Sequence, residues 1–270
     1  MKTHGLVGFF DILGYQNIIN NNELEDVVVI ISEIINKNPG VVKESLKNYF
    51  PEGYNDSFVQ GIKIELISDS LLLLFPIEGL KELKLSDIIK GTISFLEYVS
   101  LLTEAMFDKG LPLRGAVGYG NYYIDQKIFA GKCIIDCYRI AEELNLSGVV
   151  MKNDIYNAII DLSYMNKEGD EIIIDNKSAD KIKKELTQYM LGRWFKYLVP
   201  TKSQEIECYI GKWYISDTTI DVRQEVYESF SCHKKNIDNK TQQKLLNTEL
   251  SIRAMVVHEK NMKKNNSKQE

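Results

Sequence analysis

The sequence predicts an α+β fold, with helices packed on a mainly antiparallel sheet. Three observations carry that prediction. Strand-like and helical patterns succeed one another in the order strand, helix, strand, strand, helix, strand. Within that order, the apolar runs of GIKIELI (61–67) and LLLLF (71–75) are divided only by Ser68-Asp69-Ser70, a span that suits a hairpin. And 44% of the 270 residues are hydrophobic, enough for a sizeable core in one large domain or in one domain with an extension.

Composition excludes some functions before any motif is considered. The formal net charge is −5 and no basic block dominates the body of the chain, so nucleic acid is not the default partner. Only the end of the chain, Lys260 and Lys263-Lys264-Asn265-Asn266-Ser267-Lys268, is basic and polar, which predicts a disordered tail from about residue 261. The four cysteines form no CxxC pair, and Cys133 and Cys137 lie four apart on a helical pattern, as core thiols would. That usage suits a reducing compartment. A strand begins within the first ten residues, where a signal peptide would lie, and no apolar run approaches the roughly 20 residues of a membrane span. The expectation is a soluble, cytoplasmic protein without membrane contact.

The first strand, Leu6–Val7–Gly8–Phe9–Phe10, runs straight into Asp11, and Gly14 then lets the chain turn. A long amphipathic pattern follows through Ile18-Ile19 and Val27–Ile35, with Asn38-Pro39-Gly40 as its stop. After a polar loop at Pro51–Asp56 comes the hairpin. Ile62, Ile64 and Leu66 alternate with Lys63 and Glu65 as in a half-buried strand, and Leu71–Phe75 reads as fully buried. Ser86–Lys109 is the next helix, with Ser86 as N-cap and Gly110 just past its end. Leu111–Tyr123 reads as a strand whose Gly115, Gly118 and Gly120 suggest close backbone approach. Gly131 introduces a helix over Lys132–Leu146, Val149–Met151 a short strand, and Asn153 caps a helix through Leu162. Beyond these, Glu171–Ile174 and Glu207–Ser216 read as strands, and Ala179–Met190 and Gln242–Lys260 as helices. Soft boundaries fall at Asn176–Ser178 and Pro200–Ser203, dividing the chain into a core of residues 1–175 and a C-terminal extension of residues 176–270.

The element order is that of the split βαβ, ferredoxin-like βαββαβ unit. In that topology the first strand and the hairpin lie side by side, so Asp11 and Asp69, far apart in sequence, face each other at one sheet end. Asp11 alone reads equally well as a helix cap. The two positions together favour a metal site over a pair of turn aspartates, because paired carboxylates suit Mg²⁺, an oxygen-seeking ion that borrows its other ligands from water and phosphate.

At this point the residues resemble a known family. FFDILGY (9–15) resembles the first metal-binding segment of class III nucleotidyl cyclases, and KIELISDSLLLLF (63–75) resembles their second, a hairpin with the second metal aspartate at its tip. LPLRGAVGYG (111–120) resembles the strand after the family's second helix, and GKCIIDCYRIAEEL (131–144) the helix that carries a transition-state arginine. The similarity spans roughly residues 5–160, with four motifs in order. Within the family, the chain is most similar to the stand-alone pyrimidine cyclases of bacterial Pycsar anti-phage systems. The core starts at the N-terminus, the hairpin tip reads Ser-Asp-Ser rather than Gly-Asp, and an extension of roughly a hundred residues follows.

The resemblance implies a cyclase core that binds two Mg²⁺ or Mn²⁺ ions per site through Asp11, Asp69 and the Ile12 carbonyl. The backbone N–H groups of Leu13, Gly14 and Tyr15 would cradle the β- and γ-phosphates. Arg139, eight residues after Gly131, would neutralise the transition state; its bland alternative is an ion pair with Asp136 or Glu143. Lys63 matches the lysine that reads adenine in ATP-specific members, but its partner aspartate falls at Ile128, which accepts no hydrogen bond. The family's ribose-orienting asparagine falls at Ile135. These departures favour a pyrimidine substrate, UTP ahead of CTP because uridylate cyclases are the commoner of that group. A γ-phosphate lysine is expected from the C-terminal half, with Lys196, Lys202 and Lys212 all eligible. His4, His233 and His258 are scattered and take no chemistry.

In the family the aspartates and the arginine come from different subunits, which implies a homodimer with composite sites and a product read by a separate cyclic-nucleotide effector. Two other readings stay open: a purine cyclase making cAMP or cGMP, and a cyclase-like module that senses nucleotide without turnover. A polymerase palm or diguanylate cyclase shares the split βαβ unit, but the chain has no GGDEF-like turn and the wrong charge for a template binder.

Overall fold

A computed structural model describes residues 2–50, 57–77, 85–125, 128–161, 176–214 and 221–266. The sheet is laid out from β1 (Lys2–Ile12), a strand apolar on both faces whose Leu6, Val7 and Phe10 are fully buried. On one side β1 pairs antiparallel with β3 (Ser70–Pro76), from Gly5 opposite Pro76 to Asp11 opposite Ser70. On the other it pairs antiparallel with β4 (Leu113–Asp125), from Lys2 opposite Tyr123 to Ile12 opposite Leu113. The hairpin strand β2 (Lys63–Ile67) forms the edge beyond β3, and the short β5 (Ile128–Ala130) pairs with the far end of β4. Beyond β4 lies β6 (Gly148–Met151), parallel to it, and then β8 (Glu205–Gly211) and β7 (Trp194–Pro200), both antiparallel. The sheet order is β2-β3-β1-β4-β6-β8-β7. Its first four strands stand in the order of the split βαβ unit, so the α+β, mainly antiparallel fold is as the sequence predicts.

After β1 come α1 (Tyr15–Asn21) and α2 (Leu24–Tyr49), then α3 (Ser57–Gln60) before the hairpin and α4 (Leu85–Asp108) after it. The first break falls at Asn22, not at Asn38-Pro39-Gly40. Pro39 costs α2 a backbone hydrogen bond, but Ile34, Val42 and Leu46 are buried either side of it, and Asn38 Nδ2 donates to Tyr98 O of α4 at 3.3 Å. Packing against α4 thus outweighs the local stop. Next come α5 (Lys132–Glu143) and α6 (Asn153–Ile160). Cys133 and Cys137 of α5 are free buried thiols, close against Gly120 and Gly118 of β4, where added side chains would collide or crowd.

The C-terminal part continues this sheet rather than starting another. α7 (Asn176–Arg193) is tied to the core by a buried charge network: Glu97 of α4, with no exposed surface, accepts from Arg193 Nη2 (2.7 Å), Tyr189 Oη (2.9 Å) and Ser45 Oγ of α2 (2.6 Å). β7 and the helix α8 (Val222–Ser231) were not in the sequence reading, and β8 starts and ends earlier than the expected Glu207–Ser216. The last helix, α9, spans Asn239–Asn266 and so runs beyond the predicted end at Lys260. The expected strand at Glu171–Ile174 lies outside the described residues.

Candidate active site

β1 and the β2–β3 hairpin end at the same level, which brings the two sequence-predicted aspartates together. Only Ser68 and Asp69 separate the hairpin strands, and Ser68 takes a left-handed φ of 60°, as tight hairpin turns require. Ile12 N–H then donates to Asp69 O at 2.9 Å, locking the hairpin tip to the end of β1. That contact sets Asp69 beside the end of β1, close enough for its charge to act on the Asp11 carboxyl. The Asp11 carboxyl titrates above its ordinary range. Burial is the largest cause, Arg114 opposes it, and the Asp69 carboxylate pushes it up further.

Arg114 is the residue that the sequence reading missed. Its Nε and Nη2 donate to Asp11 Oδ2 at 2.7 and 2.6 Å, across the β1–β4 ladder where the two residues stand directly opposite. Its Nη1 reaches the carbonyls of Glu142 (2.9 Å) and Leu144 (3.3 Å) at the end of α5. One guanidinium therefore fixes both the Asp11 carboxylate and the position of α5. The signal was present in LPLRGAVGYG: a lone arginine in an apolar strand needs an anion to be buried beside.

Gly14 turns the chain after Asp11 with φ 78°, and a Cβ there would stand 2.9 Å from the Lys235 side chain, so both conformation and space call for glycine. The amide of Leu13 is not available as expected. It donates to Pro112 O at 2.9 Å in the continuing β1–β4 pairing, which leaves the Gly14 and Tyr15 amides for a phosphate. Arg139 is exposed on α5 and makes no ion pair among the described residues, so the Asp136 or Glu143 pairing does not form. Ile135, one turn earlier, is exposed on the same helix face, while Asp136 turns into a recess between β4 and α6.

Lys63 stands exposed at the start of β2, four residues and roughly 14 Å along the strand from its end at the hairpin tip. Ile128 is exposed on β5, at the opposite flank of the sheet, so one chain does not bring these two together. The three eligible lysines separate clearly. Lys196 pairs with Glu207 at 3.2 Å and Lys212 with Glu259 at 2.8 Å, whereas Lys202 makes no ion pair among the described residues.

The donor set fits a divalent cation. Two carboxylates converge; burial chiefly, and the Asp69 charge besides, raise the Asp11 pKa, and a cation between the two would relieve their repulsion. Arg114 occupies Asp11 Oδ2, so Oδ1, the Asp69 carboxylate and the Ile12 carbonyl are the oxygens left to offer. Among the described residues no group of three or more His, Cys, Asp and Glu side chains gathers in one place. An ion here would therefore complete its shell with water or phosphate oxygens, as Mg²⁺ commonly does. No helix among the described residues is long and apolar enough to cross a membrane.

Fold and site define an α+β protein with an acidic pair at the end of its central strands. No protein-family model matches the chain, and no curated protein matches it. Among solved structures it is similar to the monomeric guanylyl cyclase domain of the RhoGC fusion protein from the aquatic fungus Blastocladiella emersonii. That likeness has 9% identity and a TM-score of 0.45, over 78% of this chain and 96% of that one. It is also similar to the guanylate cyclase domain of RhGC from Catenaria anguillulae in complex with GTP, at 11% identity and a TM-score of 0.41, over 78% and 97% of the two chains. Scores and identities this low leave the reading of the site to its own geometry.

Proposed function

We propose that this chain is a nucleotidyl cyclase converting a pyrimidine nucleoside triphosphate, UTP in preference to CTP, to its 3′,5′-cyclic monophosphate, as a second-messenger synthase in anti-phage defence. The observation that carries the reading is the convergence of Asp11 and Asp69 at one sheet end. In this reading residues 1–175 form the catalytic core and residues 176–270 an extension.

The ribose 3′-oxygen bonds to the α-phosphorus, the bond from that phosphorus to the β-phosphate oxygen breaks, pyrophosphate leaves, and the hydroxyl proton passes to solvent. Two Mg²⁺ or Mn²⁺ ions, when bound by Asp11, Asp69 and the Ile12 carbonyl, supply a lowered hydroxyl pKa and screening of phosphate charge. Arg114 holds the Asp11 carboxylate in place for that task. The Gly14 and Tyr15 amides donate to the β- and γ-phosphates. Arg139, exposed and without an ion pair among the described residues, crosses from a second copy of the chain to the developing charge on phosphorus. The exposed apolar side chains of Ile67 on the hairpin and of Ile135 and Tyr138 on α5 support a homodimer. Base choice rests on Lys63 and Ile128, a pair in which the apolar member offers an adenine amino group no acceptor.

The test is to incubate the purified chain with each of the four nucleoside triphosphates and Mn²⁺ and to resolve the products. Cyclic UMP as the main product, lost in Asp69→Asn, is the expected result. A cyclic purine product would replace the base assignment. Absence of any cyclic product would leave the nucleotide-sensing module as the reading.

A further inference from the structure

One lysine of the C-terminal part lies buried beneath the turn that follows Asp11. Lys235, in the connection between α8 and α9, is only 9% exposed. Its stem fills the space that a side chain at Gly14 would need: a Cβ there would stand 2.9 Å from Lys235 Cδ and 3.6 Å from its Cγ. Its Nζ donates to Gly110 O, just past the end of α4, at 2.6 Å, and to Ser229 O in the last turn of α8 at 2.9 Å. Lys235 makes no ion pair among the described residues, so carbonyls hold this interior cation.

The chain on either side of Lys235 grips α1. His233 and Lys234 both take left-handed backbone angles, φ 58° and 55°, which residues other than glycine rarely do in succession. Asn22, the C-cap of α1, donates through Nδ2 to His233 O at 2.8 Å, and Asn21 Nδ2 donates to Lys234 O at 3.0 Å. Lys234 Nζ returns a bond to Asn21 O at 3.1 Å, and Asn236 Nδ2 reaches Asn17 Oδ1 at 3.5 Å. These partners lie 211 to 219 positions apart in sequence. α1 has seven residues, buries Ile18 alone, and starts at Gly14 without a side-chain cap. A helix that short has little stability of its own, so its order is borrowed from these contacts. A cation at the ends of α4 and α8 is an ordinary helix-end contact, but that accounts for the ammonium only. It leaves the stem against Gly14 and the strained turn around α1 unexplained.

We infer that Lys235 is a positioning residue: its stem seats the Gly14 turn, its ammonium ties that seat to α4 and α8, and the strained turn beside it holds α1 in place. The backbone that leaves Asp11 is thereby set by the C-terminal extension and not by the core alone. The inference deepens the cyclase reading and rests on it for what the turn is for, since Gly14 and Tyr15 carry the amides that face the substrate there. Lys235 acts only through that turn.

The experiment pairs amide hydrogen exchange with steady-state kinetics on the full chain, for wild type, Lys235→Ala and Lys235→Met. In Lys235→Ala the amides of residues 14–21 are expected to exchange about tenfold faster than in wild type. Those of β1 and β4 should speed up by no more than the change in global stability, read from urea unfolding, accounts for. Lys235→Met keeps a stem against Gly14 and should show a smaller rise at the same residues; it carries both measurements if Lys235→Ala does not fold. Lys37→Gln, which alters a lysine paired with Glu33 on α2, should change nothing. In the kinetics, KM for the triphosphate that the chain cyclises should rise about tenfold in Lys235→Ala, whereas a smaller folded fraction would lower kcat and leave KM alone. Exchange at residues 14–21 that stays at the wild-type rate in a folded variant, or that rises evenly across the fold, overturns the inference. An unchanged KM in an active Lys235→Ala also overturns it and leaves the cyclase reading intact. Faster exchange confined to residues 14–21, in a chain that makes no cyclic nucleotide, sustains the positioning role and defeats only the cyclase reading.

Discussion

Replacing Arg114 by methionine should cost the fold about 3 kcal/mol in metal-free buffer at pH 8. The side chains of Arg114 and Asp11 are only 13% and 19% exposed, so solvent does little to screen the loss. The substitution removes two short hydrogen bonds to one carboxylate oxygen and leaves the Asp11 charge half-buried against Asp69. It also strips the donor from the Glu142 and Leu144 carbonyls, worth about 1 kcal/mol on its own account. A double-mutant cycle with Asp11→Asn separates the two contributions. Where Asp11 carries no charge, Arg114→Met should cost only the carbonyl part, so the coupling between the two sites is about 2 kcal/mol. Urea unfolding of the four proteins measures it. A coupling below about 0.5 kcal/mol would show that Arg114 does not hold Asp11, and with it would go the claim that this arginine orders the acidic pair.

Lys235 gives the pH dependence. Its Nζ is buried, donates to the Gly110 and Ser229 carbonyls, and burial lowers its pKa from 10.5 to about 8. A folded chain that holds this proton less tightly than the unfolded one gains stability above pH 10.5 and loses it as pH falls through 8, by about 3 kcal/mol in all. Urea unfolding of wild type and Lys235→Met should therefore diverge by that amount across the window, and a constant difference would refute the assignment. Glu97→Ala should destabilise by about 3–5 kcal/mol, because it leaves Arg193 buried without its anion; a melting temperature close to wild type would contradict it. If the site is shared between two copies, mixing the inactive Asp69→Asn and Arg139→Ala variants should restore about a quarter of wild-type activity, since half the dimers would hold one complete site. No recovery on mixing would place Asp69 and Arg139 in the same subunit.

Much of the core was legible because its signals are local. The Ser68-Asp69-Ser70 division predicts a hairpin from residue type alone, and Gly14 marks the turn after Asp11 because few other residues take its φ. Where local and tertiary preferences conflict, reading by pattern breaks down. Asn38-Pro39-Gly40 is a strong stop, yet α2 continues because its buried face against α4 outweighs one lost backbone bond. β7 follows α7 with no intervening residue, so nothing punctuates the change of period at Trp194. α8 did announce itself, since Asp221 accepts from Arg223 N–H as an N-cap, though the mark is short and easily passed over.

The sequence by itself determined the βαββαβ order of the core, the hairpin, and the two aspartates brought together at one sheet end. Spacing and residue chemistry along the chain are enough for these, and the topology then leaves few ways to arrange them. Only the tertiary structure decided what surrounds Asp11. Arg114 comes from a strand 103 positions away. A buried charge is held by whatever partner the packing delivers, and that partner has no fixed distance along the chain for a pattern to detect.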